Sequence, residues 1–123
     1  MRLTEYLASA LGDVPVFDGL APADTPDGPR INIYELDTLQ DRKLEGRATD
    51  RRTEYMIVCS NHDAAGTTIL AREVTDLIDG KPIGVNIARV TFTTNPLRSN
   101  DDPQHPVYSA TVTASITQAR TNK

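Results

Sequence analysis

The chain has 123 residues, a formal net charge of −4 at pH 7, and 38% hydrophobic residues with two Phe and no Trp. This length predicts a single domain spanning residues 1–123, and the few large apolar side chains predict a thin hydrophobic core. The acidic balance argues against sequence-independent binding to DNA or to an anionic membrane. No apolar run approaches the roughly 20 residues of a membrane span, and the N-terminus lacks the layout of a secretory signal, so we expect a soluble intracellular product.

The first 29 residues predict a short helix, an edge strand and a loop. Residues 2–11 fit an amphipathic helix that ends at Gly12. The apolar side chains on its face are Leu3, Leu7, Ala10 and Leu11. Residues 14–17, Val-Pro-Val-Phe, are too short and too marked by proline for a central strand, but they suit a sheet edge. The prolines and Asp-Gly pairs of residues 18–29 predict a loop that turns more than once.

Two strands joined by a long charged connection follow. Residues 30–37 alternate between apolar and polar side chains, and residues 53–59 are rich in β-branched and aromatic types, so each segment predicts a strand. The connection, about residues 38–51, is longer than the roughly two to five residues usual for a hairpin, and loops of this length are commonly functional or disordered. We therefore expect a flexible charged hairpin loop at this position.

The charge of this connection differs from that of the rest of the chain. Five basic and three acidic residues lie between positions 41 and 52, which gives the segment a charge of +2 and leaves −6 for the remainder. The contrast makes the loop the best candidate for a contact with a partner, although a charged loop that only faces water is an equally open alternative. The candidate contact residues are Arg42, Lys43, Arg47 and Arg51.

A central helix is predicted after the second strand. Ser60 is expected to cap its start, with Asp63 placed to reach back to the cap amide. Gly80 ends the helix, because glycine adopts the left-handed conformation without a Cβ penalty. Its apolar residues, spaced to form one face, are Ile69, Leu70, Val74, Leu77 and Ile78.

The last part of the chain predicts two more strands. Residues 83–94 change the phase of their apolar side chains, so we expect a bulge near Ile87 and Ala88 if the strand is continuous. After a loop at 95–106, residues 107–118 alternate between an apolar face and a face of Ser and Thr hydroxyls. This alternation predicts one side packed on helices and another that faces water or a partner. Residues 120–123 are expected to fray.

Together these elements predict an α+β fold. A strand–helix–strand unit favours parallel neighbours, whereas the flanking hairpins favour antiparallel ones. We therefore expect a small mixed, mostly antiparallel sheet of about four to five strands, covered on one face by two helices.

Residue types that carry chemistry are few and scattered. The sole cysteine, Cys59, lies in a predicted strand, where a buried unreactive thiol is the ordinary expectation. The two histidines, His62 and His105, are far apart and next to cap or turn residues, so no zinc-binding pattern results. Phosphate-loop, dinucleotide-binding, Gly-x-Ser-x-Gly and HExxH motifs are absent from the sequence. We expect no catalytic residues, no metal, no cofactor and no enzymatic activity.

Several short segments and their order are informative as a set. Val-Pro-Val-Phe-Asp-Gly at 14–19 follows the first helix, the central helix closes on Leu-Ile-Asp-Gly at 77–80, and the last strand begins Val-Tyr-Ser-Ala-Thr-Val-Thr-Ala at 107–114. With the charged hairpin between them, this order resembles the tail terminator (tail completion) proteins of long-tailed bacteriophages across almost the whole chain.

The resemblance implies a small α+β domain that assembles with copies of itself into a ring, usually a hexamer. Such a ring caps the tail tube, ends tail polymerisation and offers a surface for head attachment. The implied partners are the chain itself, the tail tube protein and the head–tail connector protein. The implied location is the phage virion, after synthesis in the host cytoplasm. Net negative charge fits a lumen through which DNA passes without specific binding, and no membrane is implied.

Two other classes of function remain open at this point. A head completion or head–tail joining (neck) protein would also be small and ring-forming, but it would bind the portal rather than the tube. A small cytoplasmic enzyme or ligand-binding domain is less favoured, and it would show a stable monomer or dimer with a concave apolar pocket.

Overall fold

A computed structural model describes residues 3–22, 28–42, 48–83 and 86–119. The helices are α1 (Leu3–Leu11) and α2 (Ala64–Ile78). The strands are β1 (Val16–Asp18), β2 (Arg30–Arg42), β3 (Ala48–Asn61), β4 (Pro82–Ile83), β5 (Asn86–Thr93), β6 (Leu97–Arg98) and β7 (Tyr108–Ala119). The predicted α+β class is confirmed, with seven strands instead of four to five. The additional strands, β4 and β6, have two residues each, which is too short to give a periodic signal.

All seven strands belong to one sheet. The strand order is β1-β2-β3-β7-β5-β4, and β6 pairs with β7 beyond the end of β5. β1 and β2 are parallel and the other described pairs are antiparallel, so the expectation of a mixed, mostly antiparallel sheet with its first strand at an edge is confirmed. β3 and β5 are both antiparallel to β7, which lies between them. They therefore run in the same direction, connected by α2.

The β2–β3 hairpin is longer than predicted. Residues 38–42 and 48–51, which the sequence assigns to a loop, belong to the two strands and pair with each other as far as Arg42 and Ala48. β3 is also paired on its other side, since Asp50 faces Ala119 of β7. The charged segments form strands because they hydrogen-bond to neighbouring strands of the sheet. Their local composition does not predict this pairing. Residues 43–47 lie outside the described residues, as do the last four, 120–123, for which fraying is expected.

Helix α2 begins about one turn later than predicted. Ser60 belongs to β3, and its hydroxyl oxygen lies 2.9 Å from that of Ser109. The N-cap is Asp63, whose side chain accepts a hydrogen bond from the Gly66 amide. The prediction of Ser60 as the cap is wrong, because pairing with β7 extends the strand through Asn61 and Asp63 supplies an equally suitable capping group.

Replacing Asp63 by Ala should lower the free energy of unfolding by about 1 kcal/mol, the usual contribution of an N-cap side chain. Urea unfolding followed by circular dichroism measures the change. Asp101→Ala, at an exposed carboxylate in the loop after β6, is the matched control and should change stability by less than about 0.5 kcal/mol. Equal stability of the two variants would contradict the assignment of the cap.

Both helices pack on the same face of the sheet. The residues that α2 buries are Thr67, Leu70, Ala71, Val74 and Ile78. They share one cluster with Ile33, Ile57 and Val112, which are paired neighbours across β2, β3 and β7 and therefore project on one side. Helix α1 adds Leu3 and Leu7 to this cluster. The predicted apolar side of the last strand is therefore confirmed as the core side.

Two side chains predicted on the buried helix faces are exposed. Ile69 is 58% exposed, because it lies five residues before Val74 and so about 140° around the helix from the centre of the buried stripe. Ala10 of α1 is also exposed. Tyr6 is the α1 residue that reaches α2, by donating its hydroxyl to the Leu77 carbonyl at 2.7 Å. Neither helix in the described ranges has the length and apolar character needed to cross a bilayer.

The chain turns back between α2 and β5, where a continuous strand is expected. Pro82 and Ile83 pair antiparallel with Ile87 and Asn86, so the strand is not continuous, and the bulge that a continuous strand would need near Ile87 and Ala88 does not arise. The apolar side chains change phase in the sequence because the chain reverses here and begins a new strand. An irregularity in register does occur further on, between Val90 and Phe92.

Hydrogen bonds close the outer side of β5. Gly80, which has a positive φ of 72°, donates its amide to the Ala88 carbonyl at 2.8 Å, and Ala88 donates its amide to the Lys81 carbonyl at 3.1 Å. The Asp79 carboxylate then accepts a hydrogen bond from the Val90 amide at 3.0 Å. A side chain thus takes the place of a strand at this edge.

Candidate interaction surface

One face of the sheet carries no helix among the described residues. Paired residues of neighbouring strands project on the same side, so the register assigns each side chain either to the core face or to the opposite side, which we call the uncovered face. The uncovered face consists of Phe17, Arg30, Asn32, Tyr34, Arg52, Glu54, Met56, Val58, Ser60, Ile87, Arg89, Phe92, Leu97, Ser109, Thr111, Thr113, Ser115 and Thr117.

Apolar side chains lie on the uncovered face to either side of β7, whose Ser and Thr side chains run between them. One row of paired residues crosses four strands and consists of Tyr34, Met56, Thr113 and Phe92. Val58 and Phe17 occupy the next row, and Leu97 lies beyond them. Phe92 and Leu97 are 62% and 71% exposed, while the others are half-buried among their neighbours. Exposed apolar side chains grouped on one face of a sheet in this way are often found where a protein contacts another protein.

Charged side chains lie to one side of the apolar row. Arg52 and Glu54 stand two positions apart on β3, with Arg52 Nε 3.9 Å from Glu54 Oε1, and Arg89 is exposed on β5. A separation of 3.9 Å is too long for a hydrogen bond. Arg52 Nε is shielded from solvent and has no hydrogen-bond partner in the described part of the chain. These charges are therefore only partly neutralised within one subunit.

Hydroxyl groups lie on the other side of the apolar row. Ser60, Ser109 and Ser99 form a chain across three strands, with oxygen–oxygen distances of 2.9 and 3.2 Å. Ser60 is buried, and the chain ties β3 to β7 and to the end of β6. We read this chain as a structural feature that positions the uncovered face.

Two of the four basic residues proposed as partner contacts belong to the described part of the β2–β3 hairpin. Arg42 is the last residue of β2, and Arg51 belongs to β3, where it is paired with Gln40. The structure thus places these two on neighbouring strands. Lys43 and Arg47 lie outside the described residues, so the role of this set stays a prediction.

The two histidines and the cysteine differ in their exposure to solvent. His62 and His105 are exposed, and Cys59 is buried in β3. Asp102 accepts hydrogen bonds from the Gln104 amide at 3.0 Å and pairs with His105 Nδ1 at 3.1 Å, and these bonds hold the pKa of Asp102 below its ordinary value. No cluster of three or more potential metal ligands occurs among the described residues.

Burial raises the pKa of the Cys59 thiol from 9.0 to about 12. Because the unfolded chain ionises first, the contribution of this thiol to stability is fully present below pH 9 and is lost as the pH rises from 9 towards 12. Between pH 9 and pH 10.5 the wild type should lose about 1.6 kcal/mol more stability than Cys59→Ala, because the slope rises from half to nearly all of the full value of about 1.4 kcal/mol per pH unit over this interval. Urea titrations of both proteins measure this difference. Parallel pH profiles would show that the thiol is not desolvated.

A cavity of about 260 Å³ lies between α2 and the segment that joins β5 to β6. Its lining includes Thr75, Thr94 and Ala110, with Arg72 and Asp76 as its two ionisable side chains. Both of these are exposed. The cavity therefore lacks the converging buried ionisable groups that an active site would need.

Part of the uncovered face is visible in the sequence. The Ser and Thr alternation of residues 107–118 predicts a side that faces water or a partner, and that side forms its centre. The contributions of Met56 and Phe92 are missed, because the first lies in a run of apolar residues without alternation and the second follows a change of strand register. Residues on opposite sides of a sheet cannot be separated by composition alone.

No protein-family model and no curated protein matches the chain. Among solved structures, one whose name gives no function aligns with 98% of this chain and 91% of its own, at 14% sequence identity and a TM-score of 0.60. A chain of the structure named "Virion of native gene transfer agent (GTA) particle" aligns with 95% of this chain and 87% of its own, at 16% identity and a TM-score of 0.56. At these identities the likeness shows a shared fold over nearly the whole chain.

Proposed function

We propose that the chain is a structural subunit of a phage virion and that it serves as the tail terminator. Copies of the chain form a ring, a hexamer by the family resemblance, which caps the tail tube, ends its polymerisation and offers a surface to the head–tail connector. The observation that carries the proposal is the fold match, over 95% of the chain, to a chain from a gene transfer agent virion.

The uncovered face supports a role in assembly. A sheet with helices on one side only leaves its other side without a layer, and a domain normally buries such a side against another element. In this chain the uncovered side carries Phe92, Leu97, Tyr34 and Met56 rather than an even polar surface. Contact with other subunits would remove this apolar surface from water.

The charge of the chain fits the same role. A net charge of −4 favours a channel in which DNA slides without being held, because like charges repel. The described residues contain no group of three or more potential metal ligands, and Cys59 is buried, so they give no support to an enzymatic role. We therefore propose that the chain acts by binding proteins and not by catalysis.

Native mass spectrometry over a range of concentrations tests the proposed ring. We expect one discrete oligomer, and electron microscopy should show it bound to the ends of purified tail tubes. A monomer at every concentration, both alone and with tubes, would contradict the proposal. Binding to the portal but not to tubes would identify a head–tail joining protein instead.

The basic residues of the hairpin give a prediction about tail length. Replacing Arg42, Lys43, Arg47 and Arg51 by Ser should leave folding intact and produce tails of uncontrolled length, because the tube contact is lost. Complementation of a phage that lacks the gene, followed by measurement of tail lengths in micrographs, gives the result. Replacing Arg98 by Ser, on the short strand β6, is the control. Tails of normal length from the fourfold variant would remove the hairpin from the mechanism.

A further inference from the structure

Two surfaces of the subunit, on opposite sides of the sheet, lack a partner in the described structure. One is the uncovered face, with its apolar row and the charged pair of Arg52 and Glu54. The other is the outer side of α2, which points away from the core and exposes Ile69 between polar and charged residues. The exposed residues of this outer side are Ala65, Ile69, Arg72, Glu73 and Asp76. Ile69 is 58% exposed and is the one large apolar side chain among these residues.

The spacing of charges on the two surfaces is similar. At 1.5 Å per residue, Arg72 and Asp76 lie about 4.5 and 10.5 Å beyond Ile69 along the helix axis. At about 3.3 Å per residue, Glu54 and Arg52 lie about 6.6 and 13 Å from Met56 along β3. Each surface therefore has an apolar residue followed by two charged ones. The order is basic then acidic on α2 and acidic then basic on β3.

The hand of the sheet decides whether these charges can meet. Thr111, on the uncovered face, donates its amide to Thr94 Oγ1 and accepts the Thr94 amide, so its backbone groups point towards the β5–β6 side. In a strand of L-residues that runs upward, a residue whose side chain points towards the viewer has its N–H and C=O groups on the right. β7 runs in the same direction as β2, because both are antiparallel to β3. When the uncovered face is viewed with β2 running upward, β5 therefore lies to the right of β7, and β2 lies to the left of β3. A right-handed helix that lies over β2 and β3 and runs parallel to β2 then directs Arg72 and Asp76 towards β3.

We propose that the outer side of α2 of one copy of the chain docks on the uncovered face of the next copy. This contact rests on the self-assembly proposed above and specifies its geometry. Ile69 packs against Tyr34 and Met56 of the neighbouring copy. Arg72 lies beside Glu54, and Asp76 lies beside Arg52, which is the arginine whose Nε has no hydrogen-bond partner within the described residues.

This contact joins two different surfaces of the same subunit, so it is heterologous. Each sheet would receive a second helical layer from its neighbour, which completes the two-sided covering that one copy lacks. Heterologous contacts repeat from copy to copy and close into a ring when the rotation between copies permits it. Charge complementarity fixes the direction of the helix, because the antiparallel orientation would bring no acid next to Arg52.

Disulfide trapping tests the contact. The double variant Ile69→Cys with Met56→Cys should give a ladder of cross-linked species on a non-reducing gel after mild oxidation, whereas each single variant should stay monomeric. The native Cys59 is buried and should not contribute. Ile69→Cys combined with Leu20→Cys, at an exposed loop position outside both surfaces, is the matched control and should give no ladder. Cross-linking of Met56→Cys alone would indicate a face-to-face dimer and overturn the proposal.

A charge exchange provides the second measurement. Asp76→Arg should raise the concentration for half-assembly at least about tenfold, because it places two arginines together. Adding Arg52→Asp to the same chain should restore most of the loss. A discrete wild-type oligomer with neither the ladder nor the rescue would overturn this contact and leave the ring standing. A wild-type monomer at every concentration, both alone and with tubes, would overturn both.

Discussion

Replacing Ile57 by Ala is expected to lower the free energy of unfolding by about 2–5 kcal/mol, which is a large fraction of the roughly 5–15 kcal/mol that a domain of this size possesses. Ile57 is fully buried in the middle of β3, between Ile33 and Val112, beneath α2. Truncation removes apolar contacts on all sides and leaves a cavity that the surrounding strands cannot close, because the ladders on both sides hold them in place. Urea unfolding measures the loss.

The matched control is Ile69→Ala, which makes the same chemical change on the outer side of α2. Because Ile69 is 58% exposed, this variant should change the stability of the single subunit by less than about 0.5 kcal/mol. Measurements must be made below the concentration of assembly, since an assembled wild type would gain stability by mass action. Similar losses in the two variants would mean that the orientation of α2 on the sheet is wrong.

Replacing both Phe92 and Leu97 by Ser is expected to raise the dissociation constant of the proposed self-assembly by at least about 100-fold. Burial of a large apolar side chain contributes about 1.5–3 kcal/mol, and 1.4 kcal/mol corresponds to a factor of ten. Both residues are exposed on the uncovered face, so the folded subunit should be little affected. Sedimentation velocity across a dilution series measures the assembly, and circular dichroism verifies the fold.

Leu20→Ser is the control for the loss of apolar surface. Leu20 is 85% exposed in the loop after β1 and is not one of the residues that form the uncovered face, so its replacement should leave assembly unchanged. If the double variant assembled as well as this control, the apolar part of the uncovered face at β5 and β6 would have no role in self-association.

The sequence predicts the elements of this fold well where a periodic pattern is long. The alternation of residues 107–118 and the apolar spacing of Leu70, Val74 and Ile78 each identify an element and its buried side. The positions that are predicted wrongly are ones where pairing with another strand decides the local structure. Ser60 is a good capping residue by type, but the ladder with β7 keeps it in a strand. The charged residues before and after the hairpin turn are likewise held by their partners across the sheet.

The candidate surface is harder to predict than the core. A core residue is apolar whatever it contacts, whereas Tyr34 and Phe92 could belong to either side of the sheet until their register is known. Strand pairing alone assigns them to the same row, although 58 positions separate them in the chain. Ile69 shows the opposite case, since its residue type suggests the interior and only its angle on α2 shows that it faces outward.

The hydrogen bond from the Val90 amide to Asp79 gives the subunit a further property. An unpaired strand edge can recruit the strand of another molecule and so begin a fibre without a defined end. The Val90 amide of β5 already donates its hydrogen bond to the Asp79 carboxylate, so it is not free to pair with a strand of another molecule. Addition of further copies through this strand edge is therefore disfavoured. The subunit that we propose ends the growth of the tail tube is thus protected, at this strand edge, from forming a fibre of its own.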